Sequence, residues 1–427
     1  MKRFEYPKKT DWKNILQRPT ATVSDIESTV TGVFKDVERN GDAAVNSYTA
    51  KFDGVKLENM LVGSEEIKEA INQVPDQLKN AIKLAKSNIE KFHSAQQTAT
   101  VSLETMPGVK CWQEKRPIQK VGLYIPGGTA PLFSTILMLA VPAKIAGCKE
   151  IVLCTPPDTS GAINPAILYT AQLCGITKIC KVGGIQAIAA LTFGTATIPQ
   201  VYKIFGPGNQ YVTVAKQLAT KYGVAIDMPA GPSELLVVAD DTANPKFVAA
   251  DLLSQAEHGV DSQVLLVSTS STMLDSVTTE LELQLAVLPR KDIAKKSIAN
   301  SRLILMENKE EALELINAYG PEHFIVCTAE DEFYVNNIAN AGSVFVGNYT
   351  PESAGDYASG TNHTLPTNGY AKQYSGVNLD SFMKSMTFQK ISEDGMKRIG
   401  NAIELMAEAE GLQAHKNAVT VRLNSLL

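Results

Sequence analysis

Five histidines occur in 427 residues, few enough for each to be judged by its neighbours. In Ser254-Gln255-Ala256-Glu257-His258-Gly259, an amide and an imidazole stand three residues apart, which on a helix sets both on one face with Gly259 as a cap. Two ligand-capable side chains then point one way, although a histidine near the negative end of a helix dipole is the commoner meaning of such a pattern alone. In Tyr319-Gly320-Pro321-Glu322-His323-Phe324, an acid and an imidazole adjoin at the mouth of a β-rich run. They offer two proton carriers, a histidine poised near neutral pH and a glutamate whose pKa burial raises; a solvated surface turn accounts for the pair equally well. Gly355-Asp356-Tyr357-Ala358-Ser359-Gly360-Thr361-Asn362-His363 gathers carboxylate, hydroxyls, amide and imidazole in a glycine-punctuated loop of the kind that binds ligands. Glu410-Gly411-Leu412-Gln413-Ala414-His415 sets an acid and a histidine around a helix break, for which an exposed helix end is the simpler meaning. His93 reads as a hydrogen-bonded side chain on a packing face.

Taken together, Asp356, His258, His415 and the amide oxygen of Gln255 can make a mixed nitrogen and oxygen site of the kind zinc accepts, although a neutral glutamine is an uncommon ligand. Three glycine-rich turns follow strand-like runs: Tyr124-Ile125-Pro126-Gly127-Gly128, Val182-Gly183-Gly184-Ile185-Gln186 and Gly206-Pro207-Gly208-Asn209. Their free amides suit phosphates or riboses, but the last lacks the third glycine of the dinucleotide fingerprint, and ordinary strand-to-helix turns look the same.

The elements that must position these groups are legible in outline. Up to about residue 96 the chain reads as helical: Ser24 and Glu27 form a capping-box pattern, and Leu78, Ile82, Ala85, Ile89 and Phe92 make one apolar stripe. From Val121 onward short β-rich runs alternate with amphipathic segments, which predicts mainly parallel sheets in α/β layers, and the strands are too many for one open sheet. The expected fold is therefore two α/β/α domains, incomplete Rossmann-like, with small helical segments at the N- and C-termini. We divide the chain into an N-terminal helical arm (1–24), a first α/β domain (25–120 and 234–377), a second α/β domain (121–233) and a helical tail (378–427). After about Asn378 strand signals disappear, and a tail that short cannot bury its own core, so it must dock.

Composition narrows the function classes. A net charge of -5 argues against nucleic-acid binding. The most apolar run, Ala130 to Ala143, is interrupted by Pro142 and falls short of the ~20 residues a membrane helix needs, so it reads as a buried helix. No leader pattern opens the chain and no Cys-x-x-Cys pair occurs, which fits reduced thiols and a cytoplasmic location.

Phe92-His93, Val121 to Gly128, Lys203 to Asn209, Asp227-Met228-Pro229-Ala230-Gly231-Pro232-Ser233-Glu234, Leu253 to Gly259, Gly320 to Phe324, Gly355 to Pro366 and Glu410 to His415, in this order, resemble the histidinol dehydrogenase family. The resemblance implies an NAD-dependent, zinc-containing enzyme that oxidises L-histidinol through L-histidinal to L-histidine in the closing steps of histidine biosynthesis. It implies zinc ligation by Gln255, His258, Asp356 and His415, and substrate contacts from Ser233, Gln255, His258, His323, Asp356, His363, Glu410 and His415. Nucleotide contacts fall to Tyr124, Gln186 and Asn209, and the catalytic roles to Glu322 and His323. It also implies a homodimer whose active sites are completed by the partner's tail. A zinc hydrolase using Glu322 to activate water, and a two-lobed binding protein without chemistry, are the competing classes.

Overall fold

The computed structural model describes residues 1–19, 23–127, 130–229 and 231–427, with side chains from residue 26 in the second stretch. The capping role expected of Ser24 lies outside the described side chains. The chain divides into two compact units, Met1–Gln96 with Ile118–Ser381, and Gln97–Pro117 with Phe382–Leu427.

The first unit holds two parallel sheets. One has five strands in the order Lys178–Lys181, Glu150–Thr155, Lys120–Tyr124, Lys203–Phe205, Ala225–Ile226. The other has six, in the order Lys2–Glu5, Arg302–Leu305, Gln263–Ser268, Glu234–Ala239, His323–Cys327, Ser343–Val346. In each, apart from the edge strand Lys2–Glu5, the chain lays down a central strand, adds two on one side, then crosses to the other, the half-Rossmann order. The central strands are apolar throughout because helices cover both faces: Leu235 to Ala239 and Val264 to Val267 are all buried. This is the two-sheet α/β architecture expected from the sequence, and the run through Ala143 is the buried helix Phe133–Ala146.

Four strands depart from the reading. Lys2–Glu5, placed in a helical arm, instead pairs in parallel with Arg302–Leu305 at the edge of the six-stranded sheet. Met383–Ile391, placed in a helical tail, is a nine-residue strand paired with Val109–Pro117, which pairs in turn with Val101–Met106. Lys2–Glu5, Val101–Met106 and Met383–Ile391 lie at sheet edges, and the central Val109–Pro117 buries only Val109, so none carries an alternating apolar signal. Their partners are supplied by the backbone and by cross-strand pairs such as Trp112 stacked on Phe388 at 5.2 Å. The helices Glu393–Ala409 and Gln413–Asn424 complete this second unit, the first capped by Ser392 through the amide of Gly395.

The helices of the first hundred residues also go elsewhere than expected. Ile26, Val30, Val33, Phe34, Val37 and Val45 share one core with Ile185, Ile188, Leu191 and Ala215, beside the five-stranded sheet rather than the six-stranded one. An apolar stripe says that a helix docks, not on which sheet.

Candidate functional site

The helix Pro245–Ala256 starts with Asn244 capping the amide of Lys246 and Pro245 at the first helical position. It ends two residues before His258, and the amide of His258 closes the last turn on the carbonyl of Gln255. Gly259 has no left-handed backbone, so it is not the expected cap. The short helix Glu352–Tyr357 brings Glu352 and Asp356, four apart, to the same place. One ligand atom each from His258, Glu352 and Asp356 lies within 4.8 Å of the others, a group able to hold a metal ion. Both polar atoms of the fully buried Gln255 amide lack a hydrogen-bond partner. An orphaned amide one turn before His258 is a ready ligand, because such a group is costly to leave unmade.

Glu322 and His323 open the strand His323–Cys327 beside the start of Glu234–Ala239. The main chain of Glu234 holds both: its N–H donates to Glu322 Oε2 at 2.8 Å, and its carbonyl lies 3.1 Å from His323 Nδ1. A carbonyl only accepts, so Nδ1 carries the proton and Nε2 presents its lone pair. That Nε2 is buried, has no hydrogen-bond partner, and lies 3.8 Å from Asp356 Oδ1. Burial drives the Glu322 carboxyl well above the usual range and lowers the His323 imidazole. Glu322 Oε2 and His323 Nδ1 lie 3.7 Å apart. Burial, then the nearby Asp356, also raises Glu352, which lies 3.7 Å from His323 Nδ1.

His363 links the two halves of the first unit. Its Nδ1 meets the Asp356 carbonyl at 2.9 Å, and its Nε2 lies 3.1 Å from Thr135 Oγ1 on Phe133–Ala146. His93 is buried and pinned between the Ile89 carbonyl and Asn362, as its packing-face reading requires. Ser233 is half-buried immediately before the strand that carries the Glu234 backbone. Gln255, His258, His323, Asp356 and His363 therefore converge. Glu410 and His415 lie in the second unit, exposed around the break between its two helices.

At the carboxyl ends of the five-stranded sheet lies a cleft of about 1290 Å³, lined by Tyr124, Gly127, Thr155, Gly184 and Asn209 among others. It sits at the switch point between Lys120–Tyr124 and Lys203–Phe205, where open α/β sheets bind ligands. Tyr124 and Asn209 also serve the scaffold: the Tyr124 hydroxyl accepts from Gly184 N–H at 3.1 Å, and Asn209 caps Val212 at 3.1 Å. Gln186 is buried beside Asp53, whose carboxyl burial pushes up to about 6.

The sequence reading missed Glu352, Asp53 and the role of the Glu234 backbone. Glu352 had a local signal, an acid one helical turn before Asp356; Asp53 and Glu234 had none, because their partners lie far along the chain.

Two parallel half-Rossmann sheets, with buried acids and imidazoles at one and an open cleft at the other, define a doubly wound α/β protein with a candidate site at each sheet. The same architecture, at the level of fold alone, occurs in a betaine aldehyde dehydrogenase of Staphylococcus aureus, with a TM-score of 0.50, 12% identity and coverage of 87% of this chain and 88% of that one. The family model for histidinol dehydrogenase matches residues 16–423, and the chain belongs to that family. It is 62% identical to the histidinol dehydrogenase of Bacteroides thetaiotaomicron over all of both chains, and 52% identical to that of Escherichia coli over 97% of this chain and 95% of the other. The crystal structure of histidinol dehydrogenase from Elizabethkingia anophelis superposes with a TM-score of 0.98 at 58% identity, covering 100% of this chain and 98% of that one. The chain is accordingly an oxidoreductase of histidine biosynthesis. Among the described residues, no helix is long and apolar enough to cross a membrane.

Proposed function

We propose that the buried cluster is the catalytic centre for a two-step, NAD-dependent oxidation of L-histidinol to L-histidine, with zinc held by Gln255, His258, Asp356 and, from a second copy of the chain, His415. The observation that carries this reading is His323 Nε2, buried without a partner and 3.8 Å from Asp356 Oδ1 of the metal-competent group, with the unsatisfied Gln255 amide one helical turn before His258 in the chain. When bound, zinc supplies a positive charge that anchors the substrate's imidazole and amine and favours ionised carboxyls nearby, and NAD supplies the hydride acceptor. The chain's own groups move the protons. His323 Nε2, bare because Nδ1 is committed to the Glu234 carbonyl, takes the hydroxyl proton as hydride leaves the carbinol carbon. Glu322 draws a proton from the water that adds to the aldehyde, and the hydrate gives up a second hydride. Two oxygens at two stages need two bases in reach, and one residue's main chain holds both.

Ser233, His363 and Glu410 complete the substrate contacts, the last supplied with His415 by the partner of a cytoplasmic homodimer. The cleft at the five-stranded sheet takes NAD beside Tyr124, Gln186 and Asn209. In domain terms, 234–377 carries the zinc, 121–233 with the helices packed on its sheet the nucleotide, and 382–427 with 97–117 the docking tail. The family assignment does not favour the hydrolase alternative. The test is NADH formation from L-histidinol and NAD before and after chelation. Activity should vanish with the metal and return with zinc; full activity in verified metal-free protein, or no NADH at all, overturns the reading.

A further inference from the structure

The side chain of Glu234 is buried to within 2% of its surface, yet it touches neither end of the proposed chemistry. Arg18, a residue of the N-terminal segment, grips it with two bonds: Nε to Oε1 at 2.5 Å and Nη2 to Oε2 at 2.8 Å. The Asn368 amide donates to the same Oε1 at 2.5 Å. Arg18 is itself fixed, since Nη2 also reaches the Tyr319 carbonyl at 2.9 Å and the guanidinium stacks 3.9 Å from the Tyr319 ring centroid. Tyr319 is anchored through its hydroxyl to Gln263 on the neighbouring strand. Planar, bidentate pairing of this kind fixes orientation as well as distance.

We infer that Arg18 and Glu234 are positioning residues for the proton carriers: by clamping the Glu234 side chain they fix the one peptide residue that holds Glu322 and His323. The inference rests on the proposed roles of those two residues. Three links form the chain of argument. The Glu234 N–H and carbonyl each bond one proton carrier, so any tilt of that backbone moves both. The carbonyl bond selects the His323 tautomer, and a rotated carbonyl would release Nδ1 and let the proton move to Nε2, removing the base. Finally, stability does not account for the clamp, because a buried ion pair gains little or nothing over apolar residues of similar volume. What a bidentate pair provides and an apolar pair does not is a defined angle.

The test uses the zinc-loaded, full-length enzyme with Arg18→Lys, Glu234→Gln and the double variant Arg18→Met/Glu234→Leu. Either single change leaves a buried charge poorly matched and can impair folding, whereas the double variant leaves none. The expected result in folded double variant is a fall in kcat on the order of 100-fold, the scale of a misplacement near 1 Å, with KM for L-histidinol and zinc content held within about twofold. Arg18→Lys should restore only part of kcat, because an ammonium cannot pair in two places. The separate readout is the His323 ring in nitrogen-15 spectra of histidine-labelled protein, assigned by His323→Gln. The wild type should show the Nδ1–H tautomer, and the double variant a mixture. An unchanged kcat in the folded double variant overturns the inference, and so does a fall in kcat with the tautomer intact. Failure of the underlying reading shows separately, as undiminished turnover in His323→Gln.

Discussion

Asp251 lies on the helix Pro245–Ala256 one turn before Gln255, at 9% exposure. Burial pushes its carboxyl from 3.8 up to about 7, an effect partly offset by the Glu352 amide. A carboxyl whose folded pKa is raised binds its proton more tightly when folded, so stability falls as pH rises from the unfolded pKa to the folded one and is level above. From about pH 5 to about pH 8, crossing the midpoint near 7, this group alone should remove about 3 kcal/mol. Asp251→Asn keeps the shape and abolishes the titration. Urea denaturation of chelator-treated wild type and variant at both pH values measures the effect with no ion present to favour the carboxylate. The variant should gain about 3 kcal/mol on the wild type between the lower and higher pH, whatever the offset at either one. The sign matters: the same gap at both pH values, or a gap that moves toward the wild type on raising the pH, refutes the view that Asp251 is held protonated by burial.

Three further outcomes follow from the site. Glu322→Gln should impair histidinal oxidation more than the first hydride transfer, leaving a single-turnover burst; His323→Ala should slow the first transfer, and in the wild type the acid limb of the rate profile should fall below the ordinary histidine midpoint of about 6.5, because burial favours the neutral ring. Equal loss in both steps for Glu322→Gln contradicts the division of roles. Gly342→Ala should lose about 1–3 kcal/mol and depress turnover, since the added carbon would lie 2.5 Å from the Glu322 carbonyl oxygen, which is backbone and cannot swing aside; wild-type stability and rate would remove that argument. His258→Ala and His415→Ala, each inactive, should regain roughly a quarter of wild-type activity when unfolded together and refolded as a mixture, because half the dimers then carry one undamaged site; inactivity in demonstrated mixed dimers rules out sharing.

What the sequence determined by itself was whatever local chemistry writes into adjacent residues. Repeating apolar runs bounded by turn residues announced the central parallel strands of both sheets, since strands covered on both faces must be continuously apolar. Gln255 with His258, and Glu322 with His323, were visible because chemistry-bearing residue types stand close together in the chain. The tertiary structure decided what depends on distant partners. Lys2–Glu5 and Met383–Ile391 became strands through neighbours that supplied backbone hydrogen bonds, not through a pattern of their own. The helices at residues 23–52 chose the five-stranded sheet, a choice no stripe encodes. Within the site, the tautomer of His323 was set by the carbonyl of Glu234, whose side chain is in turn gripped by Arg18, 216 residues away. Pairing at such separation leaves no trace in local periodicity, because it is fixed only when the folded chain brings one backbone group opposite one ring.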